Sequence, residues 1–454
     1  MPVACAHEIL SFDCSPYGSQ AGYSRPTAKQ RENAATLEPA SKGKLKRTVP
    51  DDAGDSGPFS APLVLPGDDL SEDPEYPPQS IHEWQTDEDR NEVKPGKNTI
   101  YVAAPPTIDS DISFVKSWSE PKHADSISVE APKIEEVAEY LKAFYHGMPV
   151  KLLPPPALRL TQWGDGKLSK TPRYIGLNTA TECVRIRTRA SQDGVFARQL
   201  NLDDLLDAAI SLLPDDAFAL LLLVPFDIYE SPDDDFACGR AYGGSRVAVI
   251  STARYHPGLD RYQKVDRMHS WPASHCKRYI DACCSEADNS KPKKKKSGKS
   301  AEESGSFEPT SYAALSPLHA AVVAHEALPS LEESPSSAAL SALWLGRACR
   351  TASHELGHCL GIDHCVYYAC SMQGTASLAE DARQPPFLCP VDLAKMLHAS
   401  GADREERYRA ILDFCSKHPQ CHLFAAFAAW IRPRLSEDSA NSKRTKASGG
   451  SSRD

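Results

Sequence analysis

The sequence lacks any long hydrophobic run and any excess of positive charge. No stretch approaches the roughly 18 consecutive apolar residues that a membrane span requires. The formal net charge is −10, which argues against non-specific binding to DNA or to a membrane surface. The opening MPVACAHEILSFDCSPYGSQ has neither a basic start nor a sustained apolar core, so no secretory signal is predicted. We therefore expect an intracellular, cytoplasmic monomer with no nucleic-acid or membrane partner.

Proline and cysteine are, by contrast, abundant. The 36 prolines, with only 41% apolar residues, indicate that much of the chain lies outside a core. The chain contains 14 cysteines, and without a secretory signal we expect it in a reducing compartment. There, clustered cysteines are metal ligands or small buried residues more often than disulfides.

Three stretches have the composition of solvated chain. Residues 1–95 are rich in Pro, Ser, Gly, Asp and Glu without apolar periodicity, which predicts a disordered N-terminal tail. Residues 285–310 form a low-complexity insert, in which Lys293–Lys296 are either a nuclear localisation patch or part of a solvated loop. Residues 436–454 are predicted to be a second disordered tail. Whether a tail cysteine, Cys5 or Cys14, reaches a metal elsewhere in the chain stays open.

The chain between these stretches predicts a mixed α/β (α+β) fold with a twisted sheet and at least one crossover. Apolar spacing indicates helices at 132–145 and 200–213. Alternating or continuous apolar runs indicate strands at 184–190, 219–229 and 245–256. A long helix is predicted from Ser336 or Ser337 to Gly361, and a small helical subdomain is predicted over 365–435.

The most informative segment is HELGHCLGIDHC, residues 354–365. His354 and His358 are one helical turn apart, so both imidazoles face the same point. Gly361 allows a sharp turn that brings His364 back under the helix as a third ligand. Three ligands with an open fourth position are typical of a catalytic zinc site. Glu355, about 100° round the helix from His354, is free to accept a proton from a zinc-bound water.

This segment resembles the metzincin zinc peptidases, whose motif is HExxHxxGxxH followed by a methionine turn. The continuation HCVYYACSMQG, with Cys365, Cys370 and Met372, and the later Cys389 resemble the archaemetzincins in particular. The resemblance covers roughly 95–435, which we expect to form one peptidase domain over 96–435. It implies a metzincin-like twisted mixed sheet with an active-site helix, and a peptide or protein substrate paired with an edge strand at 245–254.

The resemblance also implies roles for individual residues. His354, His358 and His364 match the ligands of the catalytic zinc, Glu355 matches the general base, and Met372 matches the turn beneath the metal. Cys365, Cys370 and Cys389 match three of the four thiolates that hold a second, structural zinc. At the fourth position this chain has Asp392, a residue type that zinc also accepts.

Several alternatives stay open. The second site is completed by Asp392, by water or by His398, or no second zinc binds and the three cysteines only pack as small residues. Cys359, between the ligands on the helix, is interpreted as a core residue. The leading function is a zinc-dependent metallopeptidase, and the alternative is an inactive, zinc-stabilised protein-interaction module. Neither the cleaved sequence nor endopeptidase against aminopeptidase action follows from these residues.

Overall fold

The computed structural model describes residues 5, 7–37, 59–125, 128–154, 158–164, 169–179, 181–290 and 316–448. Within them the α-helices are α1 (Pro16–Ala21), α2 (Ala28–Ala34), α3 (Asp69–Glu72), α4 (Ile81–Thr86), α5 (Ile134–Phe144), α6 (Leu202–Ser211), α7 (Lys277–Ser290), α8 (Pro317–Glu326), α9 (Ser337–Cys359), α10 (Leu378–Asp381), α11 (Pro390–Ser400), α12 (Arg404–Ser416) and α13 (His422–Ser448). The strands are β1 (Thr99–Ala103), β2 (Thr107–Ile108), β3 (Val150–Leu152), β4 (Arg159–Gln162), β5 (Tyr174–Asn178), β6 (Cys183–Arg189), β7 (Gln199–Asn201), β8 (Ala217–Val224), β9 (Ile228–Tyr229), β10 (Gly239–Tyr242) and β11 (Val247–Ser251). Short 3₁₀ segments include Ser110–Ser119 and Ala273–His275.

A five-stranded sheet in the order β10-β11-β8-β1-β3 forms the centre of the fold. Its strands run parallel except β10, which pairs antiparallel with β11. Successive side chains of a strand point to opposite faces, and both faces of this sheet are buried. Ile100, Leu221 and Ile250 point to one core, and their neighbours Tyr101, Leu222 and Val249 point to the other. Such two-sided burial explains the continuous apolar run of β8.

Different elements cover the two faces. The first core contains residues of α5, α9, α11, α12 and α13, so the C-terminal helices share one core with α9. The second core contains residues of α6 and of a six-stranded sheet in the order β2-β4-β5-β6-β7-β9. The predicted mixed α/β class is confirmed. Within the described residues, no helix combines the length and the hydropathy needed to cross a bilayer.

Helix α9 is the element that places the predicted zinc ligands. It begins where the Ser336 hydroxyl accepts the backbone N–H of Ala339 at 3.1 Å, as the sequence predicts. It packs across β10 and β11. Beyond its last residue, Gly361 adopts φ +77°, the left-handed conformation that glycine tolerates best. The chain therefore reverses where the sequence places the turn.

The prediction that residues 245–254 form an edge strand is wrong. Residues 245–254 contain β11, which lies inside the sheet between β10 and β8. The edge strand on that side is β10, which runs antiparallel to β11 and is separated from it by four residues of chain. The apolar run of β11 marks burial on both faces, and burial of that kind is typical of an interior strand rather than an edge.

The predicted disorder of 1–95 is wrong for the described residues 7–37 and 59–95. They contain α1 to α4, and Phe59, Ile81 and Trp84 are buried in the first core. The physical reason is that this polar region needs no core of its own, because its few apolar residues pack against the rest of the protein. A capping box at Ser80 and Glu83 was the available signal for α4.

The other two low-complexity predictions have mixed outcomes. The predicted tail 436–454 is wrong up to Ser448, because α13 continues to that residue, and 449–454 lie outside the described residues. Helix α7 reaches Ser290 within the predicted insert 285–310. Residues 291–315, which include Lys293–Lys296, lie outside the described residues. The division into a 96–435 domain stays a prediction.

Candidate metal centres

Three imidazoles converge at the C-terminal end of α9. The Nε2 atoms of His354 and His358 lie 3.1 Å apart, as expected for residues one turn apart. His364 follows the turn at Gly361, and its ring centroid lies 5.4 Å from that of His354 and 5.0 Å from that of His358. One ligand atom from each of the three histidines lies within 4.8 Å of the other two. The structure thus brings the predicted trio together.

The outer nitrogens of two of these rings are held by backbone carbonyls. His354 Nδ1 lies 2.7 Å from the Ser371 carbonyl oxygen, and His358 Nδ1 lies 2.7 Å from that of Ile362. A carbonyl only accepts, so each Nδ1 donates and each Nε2 carries an inward lone pair. Burial, followed by the neighbouring imidazoles, lowers the pKa of His354 well below its usual range and that of His358 to about 4. Neutral imidazole is the form that binds a metal.

Glu355 lies between this trio and the edge strand. Its side chain is 7% exposed, and a Cβ placed on Gly239 of β10 would be 3.0 Å from Glu355 Oε1. Burial raises the pKa of Glu355 to about 8, against the opposing charge of Arg240. A carboxylate with a raised pKa beside three metal-ligating groups has the chemistry of a proton acceptor.

Met372 packs against α9 at Gly357. It is fully buried, and its backbone carbonyl accepts the N–H of Cys365 at 2.8 Å. Its sulfur fills the space that a Cβ on Gly357 would occupy, between the two helical histidines. The methionine turn therefore lies where the sequence predicts it, and Cys359 is buried in the first core, also as predicted.

A second cluster unites the four residues predicted for a structural zinc. Cys365, Cys370, Cys389 and Asp392 are all buried, with one ligand atom from each within 4.8 Å of the others. Asp392 Oδ2 lies 3.3 Å from the sulfurs of Cys370 and Cys389. Cys365 Sγ and Cys389 Sγ are 3.6 Å apart. The carboxylate thus occupies the place of a fourth thiolate, whereas the rival His398 is exposed and lies edge-on to Trp84.

The sequence analysis missed a buried lysine beside this cluster. Lys395 is 1% exposed, and its Nζ donates to Asp392 Oδ1 at 2.9 Å and to Gln79 Oε1 at 2.8 Å. Asp392 therefore presents one oxygen to the thiols and the other to a cation. The pattern Asp392-x-x-Lys395 at the start of a helix was the available signal, since residues three apart share a face.

The N-terminal region also supplies missed residues around His364. Gln79 Nε2 donates to the Gly361 carbonyl at 3.0 Å and to Asp363 Oδ2 at 2.9 Å. Trp84 Nε1 donates to the Leu360 carbonyl at 2.8 Å, so it satisfies a free group at the end of α9. The Tyr76 ring lies 5.7 Å from the His364 ring. These contacts hold the turn between the second and third histidines.

Known proteins share sequence similarity with this chain over much of its length. No family model matches the chain. Human Archaemetzincin-2 is 25% identical over 353 residues, which are 77% of this chain and 73% of that protein. Human Archaemetzincin-1 is 26% identical over 278 residues, 61% of this chain and 41% of that protein. The crystal structure of an archaemetzincin from Methanopyrus kandleri has a TM-score of 0.29 at 17% identity, covering 66% of this chain and 94% of that one.

The sequence similarity and the motif in this chain point the same way. The aligned region takes in about three quarters of the chain, which carries three histidines, one glutamate, one methionine and three cysteines at the spacing that the resemblance predicts. Over about three quarters of its length the chain is therefore similar to archaemetzincins.

Proposed function

We propose that this protein hydrolyses peptide bonds at a zinc ion held by His354, His358 and His364. The observation that carries the proposal is the convergence of three imidazoles on one point, with backbone carbonyls on the outer nitrogens of His354 and His358. Neutral imidazole nitrogens are preferred zinc ligands, so the donor set fits the ion. A bound zinc would lower the pKa of water to about 7 and polarise a carbonyl oxygen.

Glu355 is proposed as the general base. Its carboxylate lies one residue along α9 from a ligand and against the edge strand, so it can take a proton from the attacking water on Oε1. Once protonated, the same oxygen can pass the proton to the departing amine. Its burial excludes bulk water from the transfer.

Strand β10 is proposed to pair with the substrate. It is the edge of the central sheet next to α9, and Gly239 brings its backbone close to Glu355. An extended peptide that adds to this edge would gain backbone hydrogen bonds and would place a peptide carbonyl near the three histidines. Peptides or proteins are therefore the proposed substrates.

The second cluster is proposed to hold a structural zinc through Cys365, Cys370, Cys389 and Asp392. Four ligands close the coordination shell, as is usual for structural sites. Support comes from the burial of all four residues and from the 3.3 Å separations between Asp392 Oδ2 and two sulfurs. The proposal is thus two zinc ions in two centres that adjoin at His364 and Cys365.

Substitution of the base tests the function. Glu355→Ala should lower peptide hydrolysis by at least about 100-fold, because general-base catalysis contributes about 10²–10⁴-fold. Its zinc content should equal that of the parent. Glu182→Ala, an exposed glutamate outside the site, is the control for activity and fold. Undiminished hydrolysis by the Glu355→Ala protein would contradict the proposed base.

The same experiment addresses the alternative of an inactive interaction module. That alternative predicts no hydrolysis by the zinc-loaded parent across a mixture of peptides, together with full zinc content. A parent that hydrolyses peptides, loses activity to a chelator and regains it with Zn²⁺ excludes the module.

A further inference from the structure

A third group of metal-binding residue types lies outside the family motif. It consists of Cys5, His7 and His269, and one ligand atom from each lies within 4.8 Å of the other two. Cys276 adjoins this group, with its sulfur 3.4 Å from the sulfur of Cys5. Two short segments of sequence, far apart along the chain, therefore contribute one cysteine and one histidine each.

Backbone pairing brings these two segments together. Ser11 N donates to the His275 carbonyl at 2.8 Å, and Lys277 N donates to the Ile9 carbonyl at 2.9 Å. Leu10 thereby lies opposite Cys276 in an antiparallel bridge. The first residues of the described chain are thus held beside the start of α7.

His7 has an unusual backbone conformation in this arrangement. Its φ is +45°, in the left-handed region that few residues other than glycine adopt. Such conformations persist where surrounding contacts compensate for them, and they concentrate at functional sites. The conformation turns the imidazole into the protein, where it is only 8% exposed.

Both histidines have a carboxylate on the outer nitrogen. His7 Nδ1 lies 2.5 Å from Glu326 Oε1, and His269 Nδ1 lies 2.6 Å from Asp266 Oδ2. The His269 ring is further fixed by stacking on Tyr279, with centroids 4.2 Å apart. A carboxylate on the far nitrogen is the usual companion of a metal-binding histidine, because it sets the tautomer and orients the ring.

The inner nitrogen of each ring has no hydrogen bond of ordinary geometry to a described residue. The Nε2 atoms of His7 and His269 are buried, and the polar group that interacts with the His269 ring from inside the cluster is the Cys5 thiol. A buried polar atom without a partner is unfavourable, and two such atoms in one cluster point to a group that binds both. A cation would accept both lone pairs at once.

A disulfide between the two cysteines is the rival explanation. Disulfide sulfurs lie about 2.05 Å apart, whereas two thiolates on one tetrahedral zinc lie about 3.8 Å apart, given Zn–S bonds of about 2.3 Å. The observed 3.4 Å is nearer the second value. A disulfide would also leave both imidazole nitrogens without a partner.

We propose that Cys5, His7, His269 and Cys276 form a third metal site, selective for Zn²⁺ or a similar borderline-soft divalent ion. Two sulfurs and two imidazole nitrogens complete a tetrahedral shell, so the site is structural rather than catalytic. Its effect is to fasten the N-terminal segment to the body of the protein. The inference does not depend on peptidase activity.

The metal content of matched variants tests this site. The double variant Cys5→Ser/His7→Asn removes both ligands of the N-terminal segment and leaves 266–277 intact. We expect it to retain one zinc fewer per chain than the parent, by native mass spectrometry of the full chain loaded with Zn²⁺. The control Cys183→Ser/His82→Asn replaces an exposed cysteine and an exposed histidine, and should retain the parental number. Equal zinc content in parent and double variant would overturn the proposal.

A second variant and two further measurements guard against an effect of misfolding. His269→Asn, on the other segment, should also lose one zinc. With Co²⁺ in place of Zn²⁺, the double variant should lose part of the thiolate-to-cobalt absorption that the control keeps. In hydrogen exchange, the amides of Ser11 and Lys277 should lose protection in both site variants while the β8 amides stay protected. One free thiol fewer in the parent than in the Cys5→Ser/His7→Asn variant, instead of one more, would reveal a disulfide and overturn the site.

Discussion

Glu355 lies directly against Gly239, the first residue of the edge strand β10. A Cβ at position 239 would be 3.0 Å from Glu355 Oε1 and 3.1 Å from Ile250 Cγ2. Contacts this short are rare, so the carboxylate and the strand are in close contact only because the residue is glycine. The absence of a side chain at position 239 thus allows the proposed base to lie close to the strand that is proposed to pair with the substrate.

Replacement of this glycine should impair catalysis without loss of metal. We expect Gly239→Ala to lower kcat/KM on the order of 10- to 100-fold, because the added methyl displaces the carboxylate from its position. Zinc content should not change. The control is Gly244→Ala, where the added Cβ meets no atom within 4 Å. An alanine variant at 239 with parental kcat/KM would show that the position of Glu355 is not critical.

Removal of the Gln79 side chain should weaken the catalytic metal site from a distance. Gln79 bonds to Gly361 and Asp363 in the turn before His364, and loss of such outer contacts costs metal affinity about 10- to 100-fold. We therefore expect the Gln79→Ala variant to bind the zinc of the three-histidine site at least about 10-fold more weakly. Competition with a chromophoric chelator measures this affinity. Gln85→Ala, an exposed residue of α4, provides the comparison. Identical competition curves for the two variants would refute the supporting role of Gln79.

The identity of the fourth ligand at the second centre can be exchanged. Asp392→Ala should lose one zinc per chain, whereas Asp392→Cys should keep it, because a thiolate at this position completes a four-sulfur site. The measurement is zinc per chain by native mass spectrometry, and Asp413→Ala on the surface of α12 is the control. Retention of all zinc by Asp392→Ala would show that the carboxylate is not a ligand.

Glu380 should make stability depend on pH. Burial, followed by Asp68, raises its pKa from 4.5 to about 8, so the folded state keeps the proton that the unfolded state loses. Its stabilising contribution is complete below about pH 4.5 and is lost as pH rises to about 8, by about 1.4 kcal/mol per pH unit. We expect Glu380→Gln, which retains the hydrogen-bond acceptor, to reduce this fall in the free energy of unfolding.

Urea unfolding at several pH values provides the measurement. The difference in stability between Glu380→Gln and the parent should grow between pH 5 and 8 in favour of the variant. Glu182→Gln, at an exposed position, should follow the parent. A constant difference across this range would mean that Glu380 is already ionised in the folded protein.

Local sequence spacing was sufficient to predict that three imidazoles converge. His354, His358 and the glycine turn to His364 form one short segment, and helix geometry alone determines how the first two imidazoles meet. The helix start at Ser336 or Ser337 and the strands β8 and β11 were predicted for the same reason, since their signals repeat within a few residues. Asp392 was predicted from its offset to Cys389, and the structure brings it to the three sulfurs.

Pairing between segments that are distant along the chain could not be predicted from local sequence patterns. The burial of β11 is visible in its composition, but its neighbour β10 is short and partly exposed, so no local pattern indicates which strand forms the edge. The N-terminal region shows the same limit, because Phe59 and Trp84 are buried only against a core formed by residues hundreds of positions away. Composition predicts disorder for such a region when its partners are not considered.

Gln79 contacts residues beside both proposed metal centres. Its amide contacts Asp363, which precedes the proposed ligand His364 of the first zinc, and Lys395, whose partner Asp392 is a proposed ligand of the second. A side chain shared between two sites is able to couple their occupancies. If filling one centre shifts Gln79, it changes the affinity of the other, and the reverse effect must be equal in size. Loading and stripping of the two ions would then be cooperative events rather than independent ones.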